Sequence, residues 1–166
     1  RSWRRQTAHL PQPAPTGFDR RAYLATLAGC IDHFLALQDE RGAIIDPHKG
    51  VEFQYSTPCF AHGAALLFAE AGRDDLAEPA LRAFRFAARA LADRSAADGH
   101  EDFYPAPLAH AYRLLRGRAP AAGLAEAAAP LAAFDPYAIY RKPPGGSGRS
   151  GSYRNCKALA GHHMLV

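Results

Sequence analysis

The sequence predicts an all-α protein built from antiparallel helical hairpins. Apolar residues return at the 3.6-residue period in one segment after another. Turn formers punctuate those segments at short intervals, and no stretch reads as a strong strand. Of the 166 residues 48% are hydrophobic, 22% charged and 10% aromatic, which excludes a disordered polar chain and a collagen-like one. A domain of this size buries roughly two-thirds of its unfolded surface, so a real core is available. The longest apolar run, 59–69, is broken by His62 and Gly63 and falls short of the ~18 residues that a membrane span needs.

Residues 1–18 hold Pro11, Pro13 and Pro15 without periodicity and read as an arm or linker ahead of a helical domain over 19–166. The first helix is predicted over 19–38, with Leu24, Leu27, Ile31, Phe34 and Leu35 on its apolar face and Gly42 beyond its end. Cys30 lies on that stripe and reads as a small core residue. The connection 43–56 is extended, with Pro47 and Gly50 as turn formers, and does not make a sheet. Thr57-Pro58 opens the second helix, with Thr57 as N-cap and Pro58 at the first position, and Gly72 closes it. That helix is apolar nearly all round and is expected to be buried on several sides. The third covers 75–93, with Pro79 near its start. A turn over 99–104 leads to a fourth over 107–115 and, past Gly117, an Ala-rich fifth over 121–133. A Gly-, Pro- and Ser-rich loop, 135–152, precedes a sixth helix near Asn155. About six helices make three αα-hairpins, half of a six-hairpin toroid.

The ends carry an expectation of their own. The chain opens on Arg1, and the basic stretch 1–5 is followed by no apolar run of signal-peptide length. The last segment reads as helix and stops without a cap or breaker, so a fragment of a larger fold is expected. A truncated toroid would expose apolar helix faces, which favours self-association.

Formal net charge is +4, from 20 Lys and Arg against 16 Asp and Glu. Arginine dominates, and Arg82, Arg85 and Arg89 share one helix face. That face reads either as solvated or as attraction for an anionic partner, an acidic polysaccharide or a nucleic acid. No zinc-finger or RNA-binding signature is present, so nucleic acid is not the expected partner. Cys30, Cys59 and Cys156 are odd in number and widely spaced, which gives no disulfide framework and no compartment. No metal or cofactor is expected.

Four stretches carry chemistry. In 52–62, Gln54, Tyr55 and His62 are polar groups leading into, or placed on, a helix that otherwise looks buried. His62 reads as a bonded core histidine or as a proton carrier. Cys59 lies three residues before it, in the first helical turn, where the helix dipole favours a thiolate. In 99–104, His100, Glu101, Asp102, Phe103 and Tyr104 meet at a turn between helices, where sites often lie. Helix capping by Asp102 is the other reading there. Residues 146–151 match GxGxxG, but Pro143-Pro144 precedes them in place of a strand, so they read as a loop. In 155–164, Asn155 stands at a helix start, and the adjacent His162 and His163 point to different faces.

Taken in order, Gln54-Tyr55-Ser56-Thr57-Pro58, His100-Glu101-Asp102-Phe103-Tyr104 and Asn155-Cys156-Lys157-Ala158-Leu159-Ala160-Gly161 resemble the (α/α)-toroid carbohydrate-active enzymes. These are polysaccharide lyases and six-hairpin glycosidases, including little-characterised bacterial members. The family's full toroid is about twice this length. Its last segment often holds Asn-Trp-Asn and then Gly-Glu, where this chain has Tyr153-Arg154-Asn155 and His162. The resemblance implies breakdown of a polysaccharide or oligosaccharide that contains uronic acid. For a lyase, it implies that Tyr55, His62, His100 and Asp102 form the catalytic set. Phe53, Gln54, Tyr104 and Asn155 would then bind substrate, with Gln54, Asn155 or an arginine neutralising the uronate. For a hydrolase of the same class, two of Asp46, Glu52, Glu101 and Asp102 would flank the bond, ~5–10 Å apart. A non-enzymatic helical scaffold that binds a partner through one face is the third expectation.

Overall fold

The computed structural model describes residues 16–134. They contain five α-helices: α1 (Arg20–Leu35), α2 (Ser56–Ala71), α3 (Ala77–Ala92), α4 (Pro105–Leu115) and α5 (Ala121–Ala128). Short 3-10 turns stand at Asp74–Leu76, Ala97–Gly99, Glu101–Phe103 and Ala129–Ala133. The protein is all-α. Two isolated bridges, Gln38 to Ile44 and Ile45 to Glu52, fold the connection 36–55 back on itself without making a strand. The expected sixth helix, Asn155, the loop 135–152 and most of the arm lie outside the described residues.

α2 and α3 form the centre. The short link 72–76 reverses the chain between them, and Gly72 takes the left-handed conformation expected of it. α2 packs against α1, α3 and α4, which is why its sequence is apolar nearly all round. α3 packs against α2, α4 and α5 through Leu81, Phe84, Ala88 and Leu91. Small residues allow this closeness: Ala61, Ala64, Ala65, Ala83, Ala87 and Ala88 are all fully buried.

Two glycines fix the periphery. Gly42 has φ of 100°, and a Cβ on it would collide with the Arg82 carbonyl, so the connection can lie directly on α3. Gln38 fastens the same contact, donating to the Pro79 carbonyl at 3.0 Å and accepting from Arg82 at 2.8 Å. Gly63 of α2 receives Ile31 of α1, where a Cβ would stand 2.6 Å from Ile31 Cδ1. Ile31 is the one buried residue of α1.

That narrow seam corrects the reading of Cys30. It was expected in the core, and it is exposed, because α1 presents only the line through Ile31 to α2. Phe34, on the expected apolar stripe, is 38% exposed for the same reason. The helix start at Thr57 is also corrected. α2 begins at Ser56, and Tyr55 is its N-cap, with no side-chain capping bond. The Thr57 hydroxyl accepts the Ile44 N–H at 3.0 Å instead. α1 ends at Leu35, three residues early, and α4 begins at Pro105, two residues early. α5 ends at Ala128, and the remainder of its expected span, with Pro130, tightens into a 3-10 turn.

Candidate functional site

The cleft wall is built by residues 46–55. Asp46 closes a tight turn: its Oδ1 accepts the N–H groups of His48 and Lys49 at 2.8 and 2.9 Å. Its own N–H donates to the Val51 carbonyl at 3.0 Å. The chain then reaches Glu52, whose carboxylate takes hydrogen bonds from the hydroxyl and backbone N–H of Thr57. Glu52 thereby serves the N-terminus of α2 in place of a capping residue. Burial pushes its carboxyl above the ordinary value, and the bonds from Thr57 and Tyr104 pull the other way.

Gln54 is exposed and has φ of 55°, a left-handed conformation that is uncommon for a residue with a side chain. Tyr104 holds it there. The Tyr104 hydroxyl stands 3.2 Å from Glu52 Oε1 and 3.3 Å from the Gln54 carbonyl, and donates to both in a shared bond. Tyr104 is fully buried, so it lies beneath the cleft and supports the wall. Burial and then the Glu52 charge push its hydroxyl far above the ordinary tyrosine value. It stays protonated and remains a donor.

The result is an open cleft of about 400 Å³. Phe34, Phe53 and Tyr55 supply aromatic surface to its lining, and His33, His48 and Gln54 supply polar groups. Tyr55 is fixed from behind. Its ring stacks on Phe103 at 4.5 Å with 7° between planes. The His100 ring meets Tyr55 edge-on at 6.1 Å and Phe103 at 5.6 Å. Lys49 places its ammonium 5.3 Å from the Phe53 ring centre.

Of the residues named from sequence, Phe53, Gln54 and Tyr55 line the cleft, and His100 lies behind Tyr55. His62 does not join them. It stacks instead on His110 of α4, with ring centres 4.9 Å apart and 15° between planes. Burial, and secondarily His110, lower the affinity of His62 for a proton. Asp102 is 1% exposed, and neither of its carboxylate oxygens has a hydrogen-bond partner. His100 Nδ1 is likewise buried without one. Asp102 therefore caps nothing. Asn155 lies outside the described residues.

No known protein family, no curated protein and no solved structure matches this chain.

His33, His48 and His110 are missing from the sequence reading, and no signal marks them. They stand on α1, in the Asp46 turn and on α4, and only folding brings them to the cleft or to His62. Among the described residues, no group of three or more His, Cys, Asp or Glu is placed to hold a metal ion. No helix among them is long and apolar enough to cross a membrane.

Proposed function

We propose that the chain forms part of an (α/α)-toroid carbohydrate-active enzyme, a lyase acting on polysaccharide that contains uronic acid. The observation that carries this reading is the cleft wall Phe53-Gln54-Tyr55. It presents two aromatic rings and an exposed amide side by side in an open groove. Aromatic faces suit the apolar faces of sugar rings, and the amide is a neutral donor for a carboxylate.

In the elimination, a base removes the proton α to the uronate carboxyl. The electron pair forms a carbon–carbon double bond, the bond to the leaving oxygen breaks, and that oxygen takes a proton. Gln54 holds the carboxylate. The Tyr55 side chain, acting as phenolate, takes the α-proton and gives the same proton to the leaving oxygen, which returns Tyr55 to the phenolate. Phe103 and His100 hold the Tyr55 ring in place. Tyr104 and Glu52 hold the backbone at Gln54.

The test uses the ultraviolet absorbance of unsaturated uronate. Incubation with uronic-acid polymers is expected to produce it, and Tyr55→Phe is expected to reduce its rate by about 10²-fold or more. No absorbance from any such polymer removes the lyase. The hydrolase of the same toroid class is the alternative, and of its candidate carboxylates Asp46 lines the cleft. New reducing ends without absorbance, lost in Asp46→Asn, would establish it.

A further inference from the structure

A second concavity, of about 420 Å³, lies along the polar face of α3 and is separate from the cleft wall. Arg82, Arg85 and Arg89 line it from α3, and Arg41 reaches in from the connection. The helical rise places the three along a row of about 10 Å. Two of the four are compensated. Arg41 Nε donates to Asp39 at 3.0 Å, and Arg85 stands 3.9 Å from Glu126 of α5. The other two are not. Arg82 gives one nitrogen to the neutral Gln38 amide, and Arg89 has no carboxylate within 4.0 Å among the described residues. The Nε groups of Arg82 and Arg85 are buried and have no acceptor. Phe86 lies in the same lining, with the Arg41 guanidinium 5.9 Å from its ring centre.

We infer that this groove is a second binding site for the same acidic polysaccharide, with Arg82 and Arg89 gripping carboxylates spaced along the chain. The choice of ligand rests on the function proposed above. A guanidinium fork pairs with a carboxylate through two parallel bonds, which a lysine cannot do. The chain's basic charge is almost all arginine, with lysine only at 49, 142 and 157. Glu40, Asp93 and Ser95 also line it and favour a sugar over a nucleic acid. Carboxylates accept bonds from the hydroxyl groups that every unit of a polysaccharide carries. Phe86 offers a flat apolar surface to a sugar ring.

The experiment is calorimetric titration with a short oligogalacturonate, a neutral oligosaccharide of equal length and a single-stranded oligonucleotide. The oligogalacturonate is expected to bind most tightly and to weaken with salt. Arg82→Gln with Arg89→Gln is expected to reduce its affinity about tenfold or more, the loss of at least one charge-assisted pair. Arg82→Lys, which keeps charge and loses the fork, is expected to lose part of that affinity, and circular dichroism reports folding of each variant. Unchanged affinity in the double variant overturns the groove site, as does tighter binding of the oligonucleotide. A Tyr55→Ala variant separates the two sites. If it alone loses binding, the cleft stands and the groove falls. If only the arginine variants lose binding, the groove stands and the cleft reading falls.

Discussion

α1 and α3 are the same length, sixteen residues, and each carries apolar residues at helical spacing. α3 buries eight of its residues and α1 buries one. The difference lies in their neighbours. α3 is enclosed by α2, α4 and α5, whereas α1 leans on α2 along a single seam. Periodicity in a sequence specifies a face. The number of elements that close over that face decides how much of it leaves water. Surface ion pairs, Arg20 to Glu70 and Arg73 to Asp32, hold the two ends of α1, and exposed pairs of this kind contribute about 0–1 kcal/mol each. α1 is therefore the part expected to open first, with amides that exchange ahead of those in α2 and α3.

Substitutions sharpen this contrast. Phe84→Ala, at a fully buried position of α3, is expected to cost about 3–5 kcal/mol in denaturant unfolding. Gly63→Ala is expected to cost about 1–3 kcal/mol, because the added methyl pushes Ile31 out of its seat. Pairing it with Ile31→Val should recover part of that loss, and a double-mutant cycle without coupling would break the proposed seam. Asp19→Ala removes the bond from the Ala22 N–H, 2.8 Å long, and is expected to cost about 1 kcal/mol. A wholly detached α1 would show no effect there. Phe34→Ala, on the open side of α1, is expected to fall within about 0.5 kcal/mol of the parent.

The pH dependence tests the α2–α4 contact independently. His62 has a lower proton affinity in the folded chain than the ordinary 6.5, so the unfolded chain binds more protons as pH falls through that value. Its contribution to stability is complete above pH 6.5 and is lost as pH falls below it. His62→Gln should flatten the stability curve in that window, and an unchanged curve would dismiss the burial of His62 as the cause of its lowered proton affinity.

Helix existence was legible in the sequence, because spacing and punctuation act locally. Gly72 and the Pro105 region show this, the first in position and the second displaced by two residues. The N-cap of α2 was not legible. Thr57 has the right chemistry for it, but a residue thirteen positions earlier, Ile44, claims its hydroxyl. The candidate site divides in the same way. Phe53, Gln54 and Tyr55 are contiguous and visible as a motif. Tyr104 was read as a substrate contact because its motif is polar and aromatic, and only the packing of α4 shows that it is enclosed. Burial also changes the reading of Asp102, whose unpartnered carboxylate is a cost to the fold. Asp102→Asn is expected to stabilise the chain by about 1 kcal/mol, and a loss of stability would mean that the carboxylate has a structural partner.

The Tyr104 hydroxyl ties residues that stand 50 and 52 positions away in the chain. Such a bond closes late, because the entropy of a long loop must be overcome before the contact forms. The cleft wall is thus expected to close last in folding, after α2 and α4 have met. Tyr104→Phe should speed unfolding while leaving the folding rate nearly unchanged, the signature of a contact absent from the transition state. The cleft is completed only once the helices beneath it are in place.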